Sequence, residues 1–169
     1  KGAVHTQGSV VRHAFNLNQF RDLNAEDRIW SPMPFFWVGG LVFTFVSAMH
    51  VGCSLICETH FEPGATLALL ERERVTTGGG WPQFMQAMQA HPDFRTRDLS
   101  SFRTGVLLDA LQGLRRSPEL RSNSLGMTET CSAHTIERME VDLPEHQRGS
   151  FGRSVPGVAH KIADPETGA

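Results

Sequence analysis

PFFWVGGLVFTFVSAMHVGCSLIC, residues 34–57, contains no Asp, Glu, Lys or Arg, and its reading decides the fold. A run of this length could cross a bilayer, which takes about 20 mainly apolar residues. Three features oppose a span. Gly39-Gly40 and Gly52 punctuate the run, His50 sits inside it, and Ser54-Leu55-Ile56-Cys57 has the composition of a buried strand. A helix over about Gly40 to His50 followed by that strand accounts for the same residues, because parallel strands covered on both faces read as continuous apolar runs.

Outward from this run, helices and strands alternate. On the N-terminal side, Val10, Ala14, Leu17 and Leu23, with Val11, Phe15 and Phe20 beside them, recur at near-helical spacing and predict a helix from Gln7 to Leu23. Arg28-Ile29-Trp30-Ser31 predicts a short strand closed by Pro32 and Pro34. On the C-terminal side, Pro63 suits the first turn of a helix to about Arg74, with Leu67, Leu69 and Leu70 facing inward. Val75-Thr76-Thr77 predicts a strand ending in Gly78-Gly79-Gly80. Pro82 opens a helix through Ala90 that Pro92 stops, and Phe102 to Val106 predicts a further strand. Strands separated by helices at this spacing imply an α/β fold, a mainly parallel sheet with crossover helices. Beyond Glu137 the chain turns polar and Gly/Pro-rich, and Val155 to Ile162 predicts a small β element near the C-terminus.

The 169 residues fit one domain or a large part of one. A net charge of -2 supplies no electrostatic footprint for nucleic acid, and at most a peripheral membrane association. Cys53, Cys57 and Cys131 are too few for a disulfide framework and fit a reducing, cytoplasmic setting. The chain opens on Lys1 and stops at Gly168-Ala169, just after a turn-like Asp-Pro-Glu-Thr-Gly. Both ends read as cut, so the expectation is an internal piece of a longer protein. Sheet edges and apolar patches left without neighbours would make such a piece self-associate.

Most short motifs in the chain read as structure. Cys53-x3-Cys57-x2-His60 resembles half a metal site, but Leu55 and Ile56 place the thiols in the core, where free cysteines are common. Gly78-Gly79-Gly80 lacks the Lys-Ser/Thr ending of a P-loop and reads as a tight strand-to-helix turn beside a ligand pocket. There is no Gly-x-Ser-x-Gly elbow, which argues against an α/β-hydrolase. His5, His13, His50, His91, His134, His146 and His160 lack ligand spacing, and none is assigned to a metal. Ser124-Leu125-Gly126-Met127-Thr128-Glu129-Thr130 has different chemistry. Gly126 would let backbone approach a ligand, Thr128 and Thr130 offer hydroxyls to phosphate oxygens, and Glu129 is a hard oxygen ligand of the type Mg²⁺ takes. Alone, this stretch is better read as a polar surface turn.

Five segments in order change that reading. Lys1-Gly2-Ala3-Val4-His5-Thr6 resembles the tail of the SGTTGxPKG phosphate-binding loop of the adenylate-forming superfamily, the acyl-CoA synthetases, luciferases and peptide-synthetase adenylation domains. Pro34 to Gly40 resembles the PxFHxxG segment, and His91 to Gly105 resembles the approach to the adenine loop. Leu125 to Thr130 is similar to the YGxTE signature. Gly149 to Gly157, then Asp164 to Gly168, resemble the GSVGRPxPG and DPETG stretches that follow. The chain departs from the pattern at three places. Leu125 stands for the tyrosine that usually stacks on adenine, Val106-Leu107-Leu108-Asp109-Ala110 replaces the GGAP adenine loop, and Trp37 stands for histidine. These departures mark a divergent subgroup.

The resemblance implies that residues 1–169 are the incomplete central part of one AMP-binding domain, without the small C-terminal domain. Most of the phosphate loop would precede Lys1; the ribose-binding aspartate and the catalytic lysine would follow Ala169. The implied enzyme is an AMP-forming acyl-CoA ligase for a fatty or other apolar carboxylic acid. ATP gives acyl-adenylate and pyrophosphate, and coenzyme A then displaces AMP. Thr128 and Glu129 would be the catalytic residues, with Glu129 binding Mg²⁺. Lys1, Leu125, Gly126, Met127 and Thr128 would contact the nucleotide. Trp37 would gate the passage between acyl pocket and thiol tunnel, and Gly78 and Gly79 would line the acyl pocket. The chain by itself would not be a competent catalyst. An adenylation module loading a carrier protein and a non-catalytic nucleotide-binding relative are the alternatives.

Overall fold

Arg28–Trp30 (β1) is the middle strand of a parallel sheet, with Ser54–Ile56 (β2) on one side and Thr77–Gly78 (β3) on the other. The computed structural model describes residues 2–111, 120, 124–138 and 142–168. Gln7–Arg21 (α1) precedes β1, and a continuous helical run over residues 38–51 (α2) joins β1 to β2. Pro63–Arg72 (α3) leads towards β3; Pro82–Ala90 (α4) and Val106–Leu111 (α5) follow. A second, antiparallel sheet orders Leu125–Met127 (β4), Ser132–Ile136 (β5) and Arg153–Ser154 (β6), with β5 in the middle. The fold is α/β, as the alternation of elements implied.

Local chemistry sets the helix limits. The Thr6 hydroxyl accepts from the Ser9 amide at 3.0 Å and caps α1, while Glu62 accepts from the Gly64 and Ala65 amides and caps α3 above Pro63. Helix α1 stops at Arg21, short of Leu23, because Asp22 turns left-handed at φ +50°. In the middle of α2, Leu41–Val46 is π-helical. There the buried Thr44 and Ser47 hydroxyls donate to the Gly39 and Val42 carbonyls, five residues back, which suits the wider turn. Gly40 is obligatory at the start of that run, since a Cβ would run into the Met33 and Pro34 carbonyls.

The described residues hold two apolar cores. One gathers Trp30, Leu67, Leu70, Val75, Met85, Met88, Leu99, Phe102 and Leu107 around the parallel sheet. The fully buried Trp30 indole donates to Glu58, which also accepts from Thr66. The other joins Leu17 of α1 to Ala133, Ile136 and Val155, with Phe20 and Phe43 against them. Helices α1 and α2 therefore connect the two sheets.

The strand expectations needed correction where sheet order decides burial. β2 is an edge strand among the described residues, so Ser54 and Cys57 are exposed and Leu55 and Ile56 half-buried. Cys53 is half-buried too, and of the three thiols only Cys131 lies in the core. The expected strand from Phe102 to Val106 reduces to one bridge, Thr77 to Thr104. Gly105, at φ +100°, lays its α-carbon against Gly78, and α5 begins at the next residue. The late β element is Arg153–Ser154 rather than Val155 to Ile162. Residues after it are held to β5 by His160, whose ring bonds His134 at 2.7 Å and Ser154 at 2.5 Å. No helix among the described residues is long and apolar enough to cross a membrane.

A buried carboxylate locks the parallel sheet. Asp27, 2% exposed, accepts from Arg103 through both oxygens, from the Thr76 hydroxyl at 2.6 Å and from the Asn24 amide at 2.9 Å. Burial pushes its carboxyl up, but the bonds from Arg103, Thr76 and Asn24 outweigh it and hold the group below its ordinary 3.8. Asp27→Asn should cost about 3 kcal/mol, read as a lower urea midpoint at unchanged slope. His13 behaves differently. Burial lowers its imidazole below the ordinary 6.5; a bond with the Ala133 backbone opposes the shift, and the nearby His134 and His5 rings add to it. The unfolded chain therefore binds this proton more readily, so the stability His13 confers is full above about pH 6.5 and is lost as pH falls through the folded value. His13→Gln should flatten the fall in urea midpoint between about pH 8 and about pH 5.

Candidate active site

Thr128, Glu129 and Thr130 form a single 3₁₀ turn joining β4 to β5. The turn is built by strain and by cross-strand contact. Cys131 and Ser132, neither of them glycine, hold φ of +69° and +148° directly after it, a conformation that persists only where surrounding structure imposes it. The Thr130 hydroxyl is engaged locally, bonding the Met127 carbonyl at 3.2 Å and the Ser132 carbonyl at 3.0 Å. It closes the turn instead of projecting to a ligand. By contrast, among the described residues neither the Thr128 hydroxyl nor the Glu129 carboxylate bonds another protein group.

Gly126 is needed for a reason the sequence did not suggest. A Cβ there would lie 2.8 Å from the Ser132 carbonyl oxygen and 2.9 Å from the Ala133 amide, where the β4–β5 register shifts. The glycine lets two strands close on each other. On either side of it the Leu125 and Met127 side chains remain 44% and 47% exposed, so β4 offers an apolar surface next to the turn.

The N-terminal segment comes to this turn from the other end of the chain. His5 Nε2 lies 2.6 Å from the Thr128 carbonyl, which can only accept, so that ring nitrogen carries the proton. The segment resembling a phosphate-loop tail and the segment resembling YGxTE are thereby joined. Lys1 itself lies outside the described residues.

A second group of residues gathers at the carboxyl ends of β1 and β3. Trp37 ends the connection from β1 to α2, and its ring meets that of Trp81 at 4.8 Å and 48°. Trp81 lies nearly parallel to Phe84, which meets Phe61 edge-on. Of the glycines before Trp81, Gly78 is buried with Trp30 and Phe102 over its α-carbon, whereas Gly79 faces open space. Helix α2, starting one residue after Trp37, packs against β5 and so ties this aromatic cluster to the sheet that carries the turn. Trp81 was missed in the sequence; its signal was an aromatic residue between a glycine turn and a helix-starting proline.

Glu129 would hold Mg²⁺ as a lone carboxylate beside phosphate oxygens, a set Mg²⁺ accepts because it keeps several waters. Among the described residues no three His, Cys, Asp or Glu side chains converge to make an all-protein metal cage.

This arrangement agrees with what the chain is related to. Over residues 1–169 it matches the AMP-binding enzyme family, and it belongs to that family. It is 32% identical over 169 residues to the indoleacetate–CoA ligase of Aromatoleum aromaticum, covering 96% of this chain and 32% of that protein. It is 30% identical over 160 residues to the long-chain-fatty-acid–CoA ligase FadD13 of Mycobacterium tuberculosis, covering 91% and 31%. The solved structure of the anthranilate CoA ligase AuaEII in complex with anthranoyl-AMP shares the fold, with a TM-score of 0.81 at 22% identity over 98% of this chain and 33% of that one. The chain thus spans about a third of the length of the curated relatives it matches.

Gly126→Ala should destabilise the β4–β5 pair by about 2 kcal/mol, because the methyl meets strand backbone that cannot rotate away. Faster amide exchange at Ser132 and Ala133 than elsewhere in the protein would confirm it; uniform exchange would place the cost elsewhere.

Proposed function

We propose that the full-length protein couples a carboxylic acid with a fatty or other apolar group to coenzyme A, through an acyl-adenylate made from ATP. The observation that carries this reading is the His5–Thr128 bond, which joins two family-like segments 123 residues apart in sequence. On the same exposed turn the Thr128 hydroxyl and the Glu129 carboxylate bond no other group among the described residues.

In this reading the Thr128 hydroxyl donates to a phosphate oxygen of the nucleotide. Glu129 holds Mg²⁺, which supplies charge neutralisation on the phosphates when bound. Leu125, Gly126 and Met127 lie along the nucleotide, the two exposed side chains giving apolar contact where tyrosine would stack. His5 occupies the Thr128 carbonyl, so the hydroxyl is the group of that residue left for a ligand. Trp37 stands at the passage between acyl pocket and thiol, and the open space over Gly79, two residues before Trp81, offers room for an acyl group. Without a histidine at position 37 this wall moves no proton; it excludes water and orients the acid. Positioning of this kind supplies much of the acceleration in phosphoryl-type chemistry.

ATP–pyrophosphate exchange in the full-length protein tests the assignment. Glu129→Ala should lower carboxylate-dependent exchange about 100-fold, and Thr128→Ala roughly tenfold. Neither should move the melting temperature, because neither side chain bonds another group among the described residues. Exchange equal to wild type in Glu129→Ala would overturn the metal role.

A further inference from the structure

We propose that Trp81 is a specificity-determining residue, forming with Trp37 an aromatic wall that selects carboxylic acids whose apolar part is an aromatic ring. The proposal rests on the acyl-activating reading and adds to it a residue and a substrate class.

Placement comes first. β1 and β3 are adjacent and parallel, paired Ile29 to Thr77 and Trp30 to Gly78, so the connections leaving them emerge side by side. Ligands of open parallel sheets bind outside the carboxyl ends of the strands. Each of these two connections carries one tryptophan, and the two indoles touch at 4.8 Å.

Rigidity comes second. A Cβ on Gly80 would lie 2.8 Å from Pro32 Cγ, so the two connections are packed directly on each other. Trp81 is backed by the stacked ring of Phe84, which Phe61 supports in turn. The wall is therefore preformed, and binding does not have to order it.

Chemistry comes third. Trp37 and Trp81 keep 44% and 40% of their surface exposed despite their mutual contact, and the space over Gly79 is open. A saturated chain would gain equally from any apolar wall. Indole faces add a preference for offset or edge-on aromatic rings, worth about tenfold in binding.

The test compares 3-phenylpropanoate with octanoate on the full-length protein, as kcat/KM for pyrophosphate release, in wild type, Trp81→Phe and Trp81→Leu. Trp81→Leu should lose about tenfold on 3-phenylpropanoate and much less on octanoate, with Trp81→Phe close to wild type. Equal losses on both acids, or a phenylalanine variant no better than leucine, would overturn the proposal. Binding is followed separately by isothermal titration of each acid, in which Trp81→Leu should weaken 3-phenylpropanoate about tenfold and octanoate much less. Selective binding of 3-phenylpropanoate that Trp81→Leu removes, with no pyrophosphate released from either acid, would uphold the aryl wall and sink the ligase reading. Equal weakening of both acids in Trp81→Leu, or none of either, would sink the wall.

Discussion

A carboxylate removed from water must be met by enough donors to replace its hydration, and Asp27 meets that demand from three directions. Asn24 reaches it from the turn after α1, Thr76 from the residue before β3, and Arg103 from the segment before α5. Arg103 also donates to the Asp22 carbonyl at 2.6 Å, which fixes the end of α1 as well. The amino ends of β1 and β3 are thereby held level, and Thr76 further accepts from the Arg28 amide at 3.0 Å. Because the strands start level and are only two or three residues long, they also finish level. The connections that carry Trp37 and Trp81 leave the opposite ends of these two strands, whose alignment an ionic bond near the base of the sheet secures.

The second sheet is set by different means. It has no ion pair of comparable burial among the described residues and depends on α1 and α2 pressing Leu17, Phe20 and Phe43 onto Ala133 and Ile136. β5 goes straight from the strained pair Cys131 and Ser132 into this core, and burial at both residues holds them in their left-handed conformations. The Thr128 turn is held by its neighbours and not by its own propensity. That explains why it stays defined with two of its three side chains committed to no bond within the described protein.

Much of this was legible in the sequence where the signal is local. Pro63 and Pro82 mark helix starts because proline's fixed φ and missing N–H suit that position alone, and Pro82 to Ala90 is the helix observed. The alternation of elements conveyed the parallel sheet. What stayed hidden depends on partners distant in the chain. Residues 54–57 read as a buried strand, yet among the described residues they lie at an edge and the middle strand is Arg28–Trp30, an order set by pairing that neither segment shows by itself. The π-helical stretch has no period that a 3.6-residue pattern can register. Gly126 can be read as room for a ligand, but the close approach of the Ser132 and Ala133 backbone that also requires it was not visible in the sequence. The pairing of Trp81 with Trp37 arises from strand order and could not be seen in either tryptophan's neighbours.

The parallel sheet also separates two kinds of sequence constraint. Trp37 and Trp81 lie beyond the last paired residues of their strands, and neither is among the residues of the buried cores. Exchange of either for another bulky side chain leaves Asp27, Trp30 and Leu70 with the contacts they already have. Drift at these two positions can therefore proceed without a loss of folding that selection would have to repair elsewhere. Descendants of one such scaffold could diverge in diet while remaining almost the same protein.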